Sequence, residues 1–196
     1  QAAEGKVYPL AGERDQKPTH AVPHVTKAAP VTVSHDRDRG HEGDDSPPDR
    51  GEIRESRKMQ ALIAKVGAAM GMRIWIPKAD RRGILQEWPD GSEALLANLP
   101  LSYDEATLRT IEQIDVLWLK GHSIVRAFEV EHTTSIYSGI LRMADLLALQ
   151  PNMEIKLHIV APGARRNKVF QELTRPVFSL LERGPLAGMC TYLSYE

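Results

Sequence analysis

Gln113-Ile114-Asp115-Val116-Leu117-Trp118-Leu119-Lys120-Gly121-His122-Ser123-Ile124-Val125-Arg126-Ala127-Phe128-Glu129-Val130-Glu131-His132 is the stretch on which the fold turns. Two apolar runs rich in Val, Ile, Trp and Phe flank Lys120-Gly121-His122-Ser123, a pattern that predicts two antiparallel strands joined by a tight turn. Successive strand side chains alternate faces, so Glu129 and Glu131 project the same way, and Asp115 on the paired strand can share their face. Leu117 and Leu119 share parity with Asp115, and Val125 and Ala127 with Glu129, so that face is otherwise apolar. An unpaired carboxylate on a core strand costs several kcal/mol. A bound divalent cation is the simplest explanation for three; a wet sheet face with Asp115, Glu129 and Glu131 merely solvated is the plainer one. His132 reads as a strand-end histidine or as a further ligand.

On the amino-terminal side, Met59, Leu62, Ile63, Val66 and Met70 recur at helical spacing, with Gly71 placed to end the helix. Asp49 and Glu52 resemble a capping box at its start. Glu55 lies four, seven and eleven residues before Met59, Leu62 and Val66, which puts it on the apolar stripe. It is a helix-edge acid or a fourth acid aimed at the hairpin. Arg73 to Pro77 is a short strand ended by proline. From Lys78 to Tyr103 the turn signals Asp80-Arg81-Arg82-Gly83 and Pro89-Asp90-Gly91 predict a long connection with one short helix near Ser92 to Ala97, and a further helical turn from Asp104 to Thr110. Lys78, Arg81 and Arg82, with Trp88, suit a phosphate backbone and a base, or a solvated loop.

On the carboxyl-terminal side, Thr133-Thr134-Ser135 offers capping hydroxyls to a helix from Ile136 to Gln150, which Pro151-Asn152 stops. Glu154 to Ala161 alternates, with Ile155, Leu157 and Ile159 on one side and Glu154, Lys156 and His158 on the other, as in a half-covered strand. Pro162-Gly163 leads into a predicted helix from Ala164 to Arg183. Its start carries Arg165, Arg166 and Lys168, which oppose the helix dipole and point to an anionic partner or a solvated helix end. Met189 to Tyr195 is a final strand.

The chain has 196 residues, with 25 Lys+Arg against 26 Asp+Glu. Residues 1–50 hold four of the seven histidines, six prolines and few large apolar side chains, too little to offset ordering entropy, and read as disordered or as an interdomain linker. The histidine spacings there match no closed zinc site. Residues 51–196 form the predicted domain, nearly neutral at 18 basic against 17 acidic residues, a balance that neither demands nor excludes nucleic acid. One cysteine, Cys190, excludes an internal disulfide and fits a reducing, cytoplasmic setting. No apolar run approaches 18 residues, so no membrane association is expected. The start at Gln1 in linker-like sequence suggests an upstream domain of the same polypeptide.

The element order, with Ile114-Asp115-Val116 in the second strand and Phe128-Glu129-Val130-Glu131 in the third, resembles the PD-(D/E)XK nuclease superfamily. The resemblance implies an α/β fold with a restriction-endonuclease-like α-β-β-β-α-β core, a mixed central sheet and flanking helices, here followed by a further helix and strand. It implies Asp115, Glu129 and the Val130 backbone carbonyl as ligands of Mg²⁺ or Mn²⁺, with Glu55 matching, in placement only, the first-helix acid of several branches. Glu131 falls where most of the family has lysine. Without that cation it would act as metal ligand or general base; Arg126 lies on the opposite face, and Lys156 and Lys120 are the candidates for the missing positive charge. The implied activity is metal-dependent endonucleolytic hydrolysis of DNA by the C-terminal effector part of a larger restriction, defence or repair protein. Cutting both strands with one site per chain calls for a homodimer or sequential nicking. The alternative is a catalytically inactive nuclease-fold module that binds DNA or a protein partner.

Overall fold

A computed structural model of the chain describes residues 50–131, 136–150 and 154–195. The amino-terminal tail, the Asp49 cap, His132, the hydroxyls of Thr133 to Ser135 and the Pro151-Asn152 stop lie outside the described residues. A five-stranded sheet runs in the order β1 (Arg73–Trp75), β2 (Val116–Lys120), β3 (Ser123–Val130), β4 (Lys156–Pro162) and β5 (Cys190–Tyr195). The first three strands are an antiparallel meander; β4 and β5 add in parallel. The end of the sheet where β1, β3 and β4 finish is therefore the end where β2 begins.

Gly121, with φ +61°, takes the first central position of the two-residue turn between Lys120 and Ser123, the conformation a type II′ hairpin requires. Between Trp118 and Leu119 the register slips, so that Trp118 faces Arg126 but Leu119 faces Ile124. This bulge changes the face of everything before it on β3: Ile124, not Val125 as strict alternation predicts, joins the apolar layer on the acids' side.

Each sheet face buries its own layer. Helix α4 (Ile136–Leu149) covers Leu117, Leu119, Ile124, Ala127, Leu157 and Ile159 with Ile136, Ile140, Met143 and Leu147. Helix α1 (Arg50–Ala69) covers Ile74, Val116, Trp118, Phe128 and Val160. The phase of α1 differs from the expected stripe. Leu62, Val66 and Met70 are 52%, 45% and 57% exposed, while Gln60, Ala61, Ile63, Ala64 and Gly67 face inward. Small residues win because the helix lies close to the sheet: a Cβ on Gly67 would meet the Trp118 ring at 2.5 Å and Ile74 at 2.7 Å. The helix does end as expected, with Gly71 at φ +77° and the Met72 amide donating to the Gly67 carbonyl at 3.0 Å.

The connection after β1 holds more helix than its turn residues suggest. Helix α2 (Arg81–Glu87) forms across Gly83, where the Arg57 side chain fills the space a Cβ would take, and a 3₁₀ turn covers Pro89–Glu93. Helix α3 (Glu105–Ile111) is capped by Asp104, which accepts from the Ala106 and Thr107 amides, both at 3.0 Å. The long helix predicted from Ala164 to Arg183 is instead broken. A 3₁₀ turn (Gly163–Arg165) leads to α5 (Arg166–Leu173), and Pro176, which can donate no amide hydrogen bond, opens the separate α6 (Pro176–Ser179). A last turn, α7 (Leu186–Met189), precedes β5. No helix among the described residues is long and apolar enough to cross a membrane.

Candidate metal and active site

Asp115, Glu129 and Glu131 come together at the end of the sheet where β3 and β4 finish. Asp115 sits one residue before β2, and its Oδ2 accepts the Val130 amide hydrogen bond at 2.8 Å. The loop leading to it is held by the Trp75 indole, which donates to the Glu112 carbonyl at 3.2 Å. Glu129 is fully buried on the α4 face, and Glu131 is 6% exposed, so a solvated acidic sheet face is ruled out. The Glu131 amide, bonded to the Val160 carbonyl at 2.8 Å, ties this position to β4.

Helix α4 makes room for the cluster with a glycine and balances it with an arginine. Gly139 is buried, and its amide donates to the Glu131 carboxylate. A Cβ there would overlap Glu131 Oε1 and come within 3.2 Å of Glu129 Oε2, so both carboxylates converge on this patch of helix backbone. Arg142, one turn later, grips Glu129 with two parallel bonds, Nε to Oε1 at 2.8 Å and Nη2 to Oε2 at 2.5 Å. Lys156 is exposed and, with Arg126, belongs to the opposite face of β3 and β4; Lys120 stands at the hairpin end of β2. The cation at the acids is Arg142, and neither lysine fills that place.

Burial dominates the electrostatics. It pushes the Asp115 carboxyl up to about 6, against the Val130 amide and Arg142, which favour the charged form. Glu131 is pushed up to about 8 by burial and by the neighbouring Asp115 charge. Glu129 is raised well above the usual range by burial and by Asp115, although Arg142 opposes this.

Glu55 is not part of this cluster. It is exposed on α1 and bonds Lys58 at 2.7 Å, a consequence of the helix phase. The side chain that α1 does send to the site is Gln60, buried and hydrogen bonded to Asp115, with its Oε1 unpartnered. Asp80, just before α2, adds a further negative charge within electrostatic reach of Asp115.

The expected basic residues lie around the same end of the sheet. Lys78 and Arg82 follow β1 and are exposed. Arg81 points inward instead: it donates to the Ile76 and Ala97 carbonyls at 3.0 and 3.3 Å and stacks over Trp75, which makes it a clamp on the loop. Arg165 and Arg166 follow β4, Arg166 lying over the Phe170 ring, while Lys168 pairs with the buried Glu172 at 3.0 Å.

The donor chemistry suits a hard divalent cation: three carboxylates and an orphaned amide oxygen, in a site where burial raises the pKa of all three acids. As the side chains stand, however, each acid is engaged by a protein donor. Among the described residues no three His, Cys, Asp or Glu side chains are arranged as a ligand group.

The meander with two added parallel strands, a helix layer on each face and acids at the common strand end define an α/β domain with a restriction-endonuclease-like core. Residues 38–196 match the family model of the type II restriction enzyme NmeDI C-terminal domain, and the chain belongs to that family. The type II restriction enzyme NmeDI of Neisseria meningitidis serogroup C is 32% identical to it over 139 residues, covering 64% of this chain and 38% of that enzyme. The chain thus spans well under half the length of this relative. No solved structure matches the chain.

Proposed function

We propose that this domain is a PD-(D/E)XK-type endonuclease domain that hydrolyses phosphodiester bonds of DNA with Mg²⁺ or Mn²⁺, as the effector part of a larger restriction protein. The observation that carries the reading is the convergence of Asp115 with the buried Glu129 and Glu131 at the end of the sheet, the end from which β1 leads to Lys78 and Arg82 and β4 to Arg165 and Arg166. Membership of a restriction-enzyme family supports DNA as substrate.

Asp115, Glu129, Glu131 and the Gln60 amide oxygen would hold the ion, with the Val130 carbonyl beside them. The ion would lower the pKa of a water and stabilise charge on the phosphate and the leaving oxygen. Glu131, held by the Gly139 amide at the end of β3, is the residue suited to take a proton from the attacking water once it has given up its own. The Val130 amide and Gln60 fix Asp115, and the α4 backbone at Gly139 fixes Glu131. The exposed cations meet the DNA backbone.

Plasmid cleavage in Mg²⁺ or Mn²⁺, abolished in Asp115→Ala and in Glu129→Ala, is the expected result. Undiminished cutting by both variants would remove the assignment. The bidentate hold of Arg142 on Glu129 favours a second reading, a non-catalytic module of the same fold that binds DNA or a protein. Calorimetry separates them, because that module takes up no Mn²⁺ and keeps its DNA affinity in Glu131→Ala.

A further inference from the structure

We propose that Arg142 is the resident counter-charge of the acid cluster, and that a divalent cation binds by taking its place on Glu129. The proposal rests on the metal-dependent reading above and explains how a site in which lysine is replaced by Glu131 keeps its acids together without metal.

Arg142 bears electrostatically on all three carboxylates, favouring the charged form of Asp115, Glu129 and Glu131 alike. One guanidinium faces three acids, and Glu129 is the one it grips. Glu129 is the acid that cannot stand alone: it is fully buried, and an ion pair broken at such a depth is strongly destabilising. Each of its oxygens accepts from Arg142, so in the metal-free arrangement the bidentate edge of this carboxylate is taken. For an ion to take that edge, one of the two partners has to move. Glu129 stands on a central strand bonded on both sides, to β2 and β4, and has nowhere to go. Arg142 is anchored on a helix by a long flexible stem, and its side chain is 27% exposed, so its guanidinium has a route to solvent. The geometry that fits a carboxylate bidentately also fits a phosphate. The released Arg142 is then the positive charge at the cluster that an incoming phosphodiester meets, in the role the resemblance assigns to lysine.

The test is Mn²⁺ binding by titration calorimetry, with melting of metal-free and Mn²⁺-loaded protein. Arg142→Gln is expected to bind Mn²⁺ on the order of tenfold more tightly than the parent protein. It is also expected to melt lower without metal and to regain more of its melting temperature on loading. Arg142→Lys, which keeps a charge but not the paired grip, should fall between the two and serves if the glutamine variant does not fold. Equal or weaker Mn²⁺ affinity in both variants overturns the proposal; if Glu129→Gln at the same time abolishes binding, the metal site itself stands and only the exchange fails. Absence of Mn²⁺ binding in the parent protein overturns both.

Discussion

Strand β3 carries two arginine contacts of opposite kind, three residues apart and on opposite faces. At Glu129 the guanidinium of Arg142 meets a buried carboxylate beside two more acids. At Arg126 the guanidinium donates to Nε2 of His158 at 3.0 Å, a buried imidazole stacked on Phe128 that burial and the Arg126 and Lys156 charges hold down to about 4. The second site keeps one partner neutral, the proton being assigned to Nδ1, which is buried without a hydrogen-bond partner. The first gathers three carboxyls around one guanidinium, where burial raises the pKa of all three. A fold selected only for stability would favour the second solution, and the first is the arrangement expected where charge is held ready for a ligand.

The contrast breaks most sharply in activity. Glu129→Gln should lower DNA cleavage at least about 100-fold, as expected for removing a preorganised electrostatic group. His158→Asn, on the opposite face, should leave kcat within a few-fold. Comparable losses from both would mean that the two faces do not divide structure from chemistry.

Much of this division can be read from the sequence, and the exceptions have physical causes. The hairpin and its acids are legible because period-two alternation and a Gly-containing turn are local signals. The phase of α1 is not, because its large apolar residues Leu62, Val66 and Met70 compete with a stripe of small ones, Ala61, Ala64 and Gly67, and close approach to Trp118 decides for the small. That choice turned Glu55 outward and Gln60 inward. Arg142 could have been found: it and Asp145 are the charged residues in the otherwise apolar α4, an expensive position for a cation without a partner. Gly139 gives no such sign, since the need for a bare backbone there arises from β3 across the interface.

Next in size is Gly139→Ala. The added methyl overlaps Glu131 and should cost about 1–3 kcal/mol while pushing two acids apart, so cleavage falls together with the melting temperature. Gly188→Ala, where a Cβ meets nothing within 4 Å, is the control and should change neither. An equal effect from both would show that the tightness at Gly139 is not what holds the acids.

The two sites should also impose opposite pH dependences on the metal-free protein. Glu131, raised from 4.5 to about 8, holds a proton in the fold that the unfolded chain has lost, so its contribution is complete below about 4.5 and disappears as pH rises toward 8. His158, lowered from 6.5 to about 4, is neutral in the fold where the unfolded chain is charged, so its contribution is complete above about 6.5 and disappears as pH falls toward 4. Melting in chelator across this range should show Glu131→Gln flattening the alkaline decline and His158→Asn flattening the acidic one. The same profile for both variants would deny the separation.

The smallest effect is expected from Arg126→Gln. At neutral pH it removes one hydrogen bond to a neutral imidazole, worth about 1 kcal/mol or less, and a ring contact with Trp118 at 5.9 Å. Taking away the guanidinium also removes one of the two charges that depress His158, so the imidazole titrates closer to its ordinary value and the acid-side loss of stability becomes shallower. An NMR titration of His158 should therefore move up in pH while Mn²⁺ affinity at the acid cluster stays as it was. If Arg126→Gln instead tightens Mn²⁺ binding as Arg142→Gln is expected to do, the competition at Glu129 is a general effect of positive charge near the sheet and not the exchange of one bidentate partner for another.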